Sequence, residues 1–173
     1  MLKAIKLENY KCFKDEATID VAPLTILCGV NSCGKSSILK SLLMMKQSFE
    51  NSRSNGEITY IGNYVDNGNY KILANKKNAP VKISESFNLK YDSQADKAMF
   101  RDLYRLIFGE NLKSKIQNEK LGSFRISVSM EFASNYIKKY EISVNYESLC
   151  HPITICIEKN KKYTIPLDDK NQK

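Results

Sequence analysis

The stretch LTILCGVNSCGKSSILKSLL, Leu24 to Leu43, constrains this chain more than any other. Gly29, Gly34, Lys35 and Ser36 satisfy the spacing G-x-x-x-x-G-K-[ST]. The pattern alone is common; its setting makes it specific. Leu24 to Cys28 is a continuous apolar run of strand length, the composition of a strand buried on both faces. From Lys35 to Glu50, residues Ile38, Leu39, Leu42, Leu43, Met45 and Phe49 recur at helical spacing and predict a broad apolar face. Strand, glycine loop and helix in that order make this motif a phosphate cradle.

Each residue type in the cradle has a physical task. Gly29 and Gly34 let the backbone bend sharply and approach an anion with no side chain in the way. The amides of Ser32, Cys33, Gly34, Lys35, Ser36 and Ser37 then converge as a nest of donors. The helix behind them adds unpaired N–H groups and the positive end of its dipole. Lys35 is expected to reach the β- and γ-phosphates as a point charge. The Ser36 hydroxyl is the expected Mg2+ ligand, Ser37 a donor to the α-phosphate, and Asn31 the crown of the loop, facing the γ-phosphate or a partner chain. Cys33 fills a position open to small residues; helix-terminal dipoles favour a thiolate there, but a tolerated small residue is the simpler reading. A plain glycine-bearing turn would need neither the lysine nor the serine.

Composition narrows the class further. The 173 residues carry 27 Lys and Arg against 19 Asp and Glu, a net charge of +8. Arginine occurs only at 53, 101, 105 and 125, so the positive charge is mainly lysine. Such a surface attracts nucleic acid or nucleotide through its field. Runs such as NKKN at 75–78 and EKNKKY at 158–163 read more simply as solvated turns. Five cysteines, at 12, 28, 33, 150 and 156, form no C-x-x-C pair, which suits a reducing cytoplasm. With His151 as the only histidine, a zinc site is not expected. No run reaches the roughly 18 apolar residues of a membrane span, and the opening MLKAIKLENYKCF alternates rather than forming a leader.

Elsewhere the pattern predicts short strands at Ala4–Leu7 and Ala17–Val21, a loop at Glu8–Glu16, and a Gly-, Asn- and Ser-rich bend over Asn51–Asn69. Val81–Tyr91 reads as a strand with a bulge, its phase broken at Glu85. Ala95–Lys120 reads as helical, interrupted at Gly109. The last third alternates cleanly through Phe124–Phe132 and Tyr140–Tyr146. Ile153, Ile155 and Ile157 then face Tyr163 and Ile165, so two antiparallel hairpins with one wet face each are expected.

The segment from Ile5 to Gln47 resembles the N-terminus of the RecF/SMC/OLD-like branch of ABC-type, AAA-like P-loop ATPases. Those proteins open with a strand, an N-[FY]-[KR]-x-F loop (here NYKCF), a second strand and an LT-x-L-x-G-x-N-x-x-GKS-[ST] cradle. A weaker likeness joins YIGNYVDNGNY, Tyr60 to Tyr70, to the G-x-Y-V-D-x-G-x-[FY] stretch of defence-associated and OLD-type ATPases, with Asn67 where a hydrophobic residue is common. The resemblance implies an α/β fold of ABC/RecF type, a mixed sheet with a flanking antiparallel β-subdomain, incomplete in this chain. Residues 1–75 would form the nucleotide-binding core, and 76–173 a helical insertion plus antiparallel strands of the same lobe. It implies ATP and Mg2+ as cofactors, and Lys11 and Cys12 as further nucleotide contacts with Phe13 packing their loop. For Lys11 a solvated lysine is an equal reading. Also implied are action on DNA or RNA, antiviral defence, and a homodimer or partner chain that supplies the signature loop.

Hydrolysis needs an acidic residue that holds Mg2+ and a group that orients water. The family takes the first from a four-hydrophobic strand ending in Asp-Glu. Here YTIPLDDK, with Asp168 and Asp169, is broken by Pro166 and reads as a polar tail. No LSGGQ-like signature occurs: KLGSFRIS at 120–127 has the wrong order, and Gln94 has no local support as the water-positioning residue. The expectation is an ATP-binding portion not hydrolytically competent alone. The alternative is a standalone basic nucleic-acid-binding module with a vestigial cradle, against which the aromatics alternate inward. A P-loop kinase or GTPase is disfavoured by the lack of an NKxD motif and of a lid arginine cluster.

Overall fold

The computed structural model describes residues 1–51, 57–90, 102, 123–146 and 153–158. Six strands form one sheet: β1 (Leu2–Glu8), β2 (Ala17–Asp20), β3 (Val81–Leu89), β4 (Phe124–Ala133), β5 (Tyr136–Tyr146) and β6 (Ile153–Glu158). Their order is β2-β1-β3-β4-β5-β6 and every pairing is antiparallel. The helix α1 (Lys35–Asn51) follows the glycine loop, and a single turn, α2 (Tyr70–Leu73), precedes β3.

Period-two alternation sorts the sheet into two unlike faces. On one face Val81 stands opposite Phe132, Ile83 opposite Met130 and Leu89 opposite Phe124, all buried. Leu7 joins Ile83 across the β1–β3 pair, and Met44 and Met45 of α1 pack into the same core. Each such side chain contributes about 1.5–3 kcal/mol through burial. The opposite face is polar: Ser84 donates to Ser129 at 2.9 Å, and Ser86 lies 3.0 Å from Ser127. Ion pairs Lys82–Glu8 and Lys6–Glu16 flank the serines; being exposed, each adds at most about 1 kcal/mol. The clean alternation predicted for β4 and β5 is borne out, with a two-residue turn between them that places Ser134 at φ 65°.

Several expectations change. The run Leu24–Cys28 lies outside every strand, and Leu24 and Ile26 are 79% and 74% exposed. A strand exists only beside a partner, and none of the six described strands pairs with this run; Leu27 packs against the core, and a small turn in which Ala22 N–H donates to Thr25 Oγ1 sets its start. The expected mixed sheet is therefore wholly antiparallel over the described residues. The bulge expected at Glu85 is absent from β3: the β3–β4 register runs unbroken, and Glu85 keeps phase with Ile83 on the core face. The irregularity falls instead between Leu2 and Ala4 in the pairing with β1. The helix predicted over Ala95–Lys120, the pairing with Tyr163 and Ile165, and the assignments at Gln94, Asp168 and Asp169 lie outside the described residues.

The helix α1 forms as expected but buries a different face. Ile38, Ser41, Met44, Met45, Gln47 and Ser48 are buried, while Leu39, Leu43 and Phe49 are exposed. Polar clips explain the rotation. The Gln47 amide donates to the carbonyls of Thr59 (2.7 Å) and Val65 (3.1 Å) and accepts from Val65 N–H. Ser48 Oγ accepts from Thr59 N–H at 3.1 Å. These bonds fasten residues 57–67 along the helix. That segment also reaches the β4–β5 turn, where Ile58 N–H donates to Asn135 and the Tyr60 hydroxyl to Ser134.

Glu85 yields a pH prediction. It stands between Ile5 and Val128 on the apolar face, and burial raises its carboxyl from 4.5 to about 7. The folded chain then holds a proton that the unfolded chain has already lost, so the contribution of Glu85 to stability falls as pH rises from 4.5 to about 7 and is constant outside that window. Glu85→Gln should remove this slope and exceed the wild type by about 1–2 kcal/mol above it, a figure discounted for residual solvent. Thermal melts between about pH 4 and pH 8 read both effects.

Candidate functional site

Positive φ values show how the cradle is built. Gly29 at 146°, Ser32 at 66° and Gly34 at 101° reverse the chain so that residues 29–34 curl ahead of α1. The first helical bond, Ile38 N–H to Gly34 C=O, spans 3.1 Å. No acidic residue stands in the first turn of α1, so its leading amides face the curl without a carboxylate to satisfy them. Gly34 is buried, Ser37 half-buried, and Gly29, Asn31, Ser32, Cys33 and Ser36 are exposed.

The Lys35 ammonium is turned into this curl. Its Nζ donates to the carbonyls of Gly29 (2.7 Å) and Val30 (2.6 Å) and lies 3.6 Å from Cys33 Sγ. No carboxylate pairs with it among the described residues. Three donors on one ammonium are thus satisfied by neutral acceptors, which a phosphate oxygen can replace with a stronger, charge-assisted bond.

The turn from Asn9 to Phe13 packs directly on the cradle. Tyr10 and Phe13 exchange backbone hydrogen bonds of 2.9 Å, closing a tight loop in which Asn9 and Lys11 take φ values of 55° and 51°. A Cβ at Gly34 would come within 2.4 Å of Cys12 Sγ and 3.0 Å of Phe13 Cζ. Only glycine fits there, by contact as well as by φ. Cys12 is therefore brought against the cradle, as is the Phe13 ring. Lys11 stands 5.9 Å from the Tyr10 ring centroid, and burial, with Lys40 as a like-charged neighbour, lowers its pKa. Repulsion between these two cations is relieved by an anion nearby.

Polar residues, Asn9 of the NYKCF loop first among them, hold this turn in place. The Asn9 amide donates to the carbonyls of Lys76 (3.0 Å), Ala79 (2.7 Å) and Pro80 (3.1 Å), and its oxygen accepts from Lys76 N–H. Lys11 N–H donates to Leu73 C=O at 2.7 Å, and the Asn75 side chain donates to Lys11 C=O at 2.7 Å. The available signal for Asn9 was its type: asparagine at a strand end tolerates positive φ and bonds nearby backbone. Tyr10 and Asn67 are both buried with side-chain polar atoms that lack regular hydrogen bonds. Burial drives the Tyr10 phenol well up, offset in part by the Asn67 amide. Asn67 thus serves as a polar neighbour for a buried hydroxyl, a reason for asparagine at that position.

The donor set fits a phosphate group: exposed N–H groups, one ammonium, and a glycine whose missing side chain admits the packing turn. Among the described residues no three His, Cys, Asp or Glu side chains converge as metal ligands. A divalent cation here would take the Ser36 hydroxyl together with oxygens of the ligand.

Asn9→Ala should cost about 1–3 kcal/mol, because it removes hydrogen bonds to part-buried carbonyls and places a Cβ-only residue at positive φ. Asn9→Gly loses the same bonds without the strain and should be about 1 kcal/mol milder. Urea midpoints of the two variants measure the difference.

Among the described residues no helix is long and apolar enough to cross a membrane. In comparisons with known proteins, the family model of the AAA ATPase domain matches residues 1–173. No curated protein and no solved structure matches the chain. On the family match, with a strand-free but curled glycine loop leading into α1, the chain belongs to the AAA ATPase domain family, whose members are nucleotide-binding proteins.

Proposed function

We propose that the curl at residues 29–34 and the start of α1 bind Mg·ATP, in the N-terminal portion of a RecF/SMC/OLD-like ATPase that does not hydrolyse ATP efficiently alone. The observation that carries this reading is Lys35: its ammonium sits on the Gly29 and Val30 carbonyls, beside helix-terminal amides that no acid caps. When a triphosphate enters, Lys35 exchanges those carbonyls for phosphate oxygens, and the amides of residues 32–37 donate to the same group. Ser36 contributes its hydroxyl to Mg2+, Ser37 its hydroxyl to the α-phosphate side, and Asn31 faces outward at the crown. Cys12 and Lys11 flank the ligand from the neighbouring turn. Mg2+, when bound, neutralises charge on the phosphate oxygens.

Apolar surface supports the second half of the reading. Leu24, Ile26 and Val30 are more than 70% exposed beside the cradle, and Leu39 of α1 is 56% exposed. An apolar run with no ladder partner is a place for a further strand. A strand-bearing portion of the ATPase, carrying the acidic Mg2+-holding group, would cover it, and a homodimer or partner chain would supply the signature loop. Coupling to DNA or RNA transactions and to antiviral defence follows from the family resemblance alone.

Titration with a fluorescent ATP analogue tests the site. Lys35→Ala should weaken binding at least about tenfold, and Ser36→Ala should weaken it more with Mg2+ than without. Unchanged affinity in Lys35→Ala would overturn the assignment. The purified chain should release no phosphate in steady turnover; release that Lys35→Ala abolishes would overturn the claim of incompetence while keeping the site.

A further inference from the structure

A second basic site lies apart from the cradle. A cavity of about 670 Å³ opens between α2, the segment leading into β3, and the turn joining β4 to β5. Tyr70, Pro80 and Ala133 give it apolar walls, and Lys71, Lys77 and Lys138 line it from three separate segments. No carboxylate lines it.

These lysines differ from the ion-paired lysines of this chain. Lys6, Lys46, Lys76, Lys82 and Lys139 each lie within 4 Å of an acid. Lys71, Lys77 and Lys138 are exposed and make no ion pair or hydrogen bond among the described residues. Their charge is fully available to a ligand, and the cost is mutual repulsion that an anion relieves. The aromatic wall is rigid. The Tyr70 hydroxyl donates to Ala79 C=O, and its ring meets Phe132 edge-on, centroids 6.5 Å apart at 72°.

We propose that this cavity binds single-stranded nucleic acid, taking one nucleobase against Tyr70 and Pro80 with the flanking phosphodiesters on Lys71, Lys77 and Lys138. The volume suits a nucleotide-sized group. Apolar walls at Tyr70 and Pro80 beside three cations suit a base together with its phosphates better than a triphosphate tail alone. A flat aromatic wall accepts any base, so recognition is independent of sequence. The site shares no residue with the cradle, and its test is independent of nucleotide binding there.

Fluorescence anisotropy of the full chain with a labelled oligothymidylate of about twelve nucleotides tests this. Replacing Lys71, Lys77 and Lys138 together by Ala should weaken binding at least about tenfold. It should also flatten the salt dependence from a log–log slope of about −2, the value for three single-strand phosphate contacts, toward zero. A control that removes equal charge elsewhere, Lys3, Lys14 and Lys90 to Ala, should change affinity less than about twofold, and Lys35→Ala should leave it unaltered. Equal weakening by the two triple variants, displacement by polyglutamate as effective as by unlabelled oligonucleotide, or absence of binding at about 50 mM salt would each overturn the proposal. The three lysines have no partners to lose, so the fold should persist, as circular dichroism would show. Should the triple variant not fold, Lys71→Gln, Lys77→Gln and Lys138→Gln singly must each weaken binding, or the proposal fails.

Discussion

Gly34 has no side chain, and the space one would occupy is filled by Cys12 and Phe13. That contact joins the first strand's exit turn to the phosphate curl and sets where α1 begins. Any Cβ at 34 would force the Cys12 and Phe13 side chains to shift, and with φ at 101° it would also strain the backbone. One missing methyl therefore links the N-terminal hairpin, the cradle and the helix dipole behind it.

Around this contact the irregular segments are held by amides rather than by apolar packing alone. Asn9 gathers the backbone of residues 76–80, Asn75 reaches back to Lys11, and Gln47 with Ser48 fastens residues 59–65 to α1. Each replaces water at backbone groups that are mostly exposed or part-buried, so each contributes at most about 1 kcal/mol. The same bonds decide the rotation of α1. A helix whose buried stripe includes Ser41, Gln47 and Ser48 has to leave Leu39 and Leu43 outside.

The α2 segment and its flanks serve two surfaces at once. Leu73 and Asn75 hold the Lys11 turn beside the cradle, while Tyr70, Lys71 and Lys77 face the basic cavity. The polar face of the sheet is built differently. Its lysines and glutamates neutralise one another, and its serines bond in pairs across strands.

What pattern alone decided was local and periodic. Alternation assigned Phe124, Met130 and Phe132 to the core face, because a strand's period of two needs no knowledge of its partner. The glycines, lysine and serine at 29–36 located the cradle, because their spacing describes one continuous turn. In sequence Glu85 reads as a break, since a charged residue at an inward position looks like lost phase, and only the register against Met130 and Val128 shows it in step. Strand status for Leu24–Cys28 was equally beyond the sequence, because apolar composition specifies a tendency and a ladder needs a neighbour. Tertiary structure alone decided the partners of Asn9, which lies 67 positions from Lys76, and the gathering of Lys71, Lys77 and Lys138 around one cavity. Interactions between segments that distant carry no periodic signature; they exist only once the chain has closed on itself.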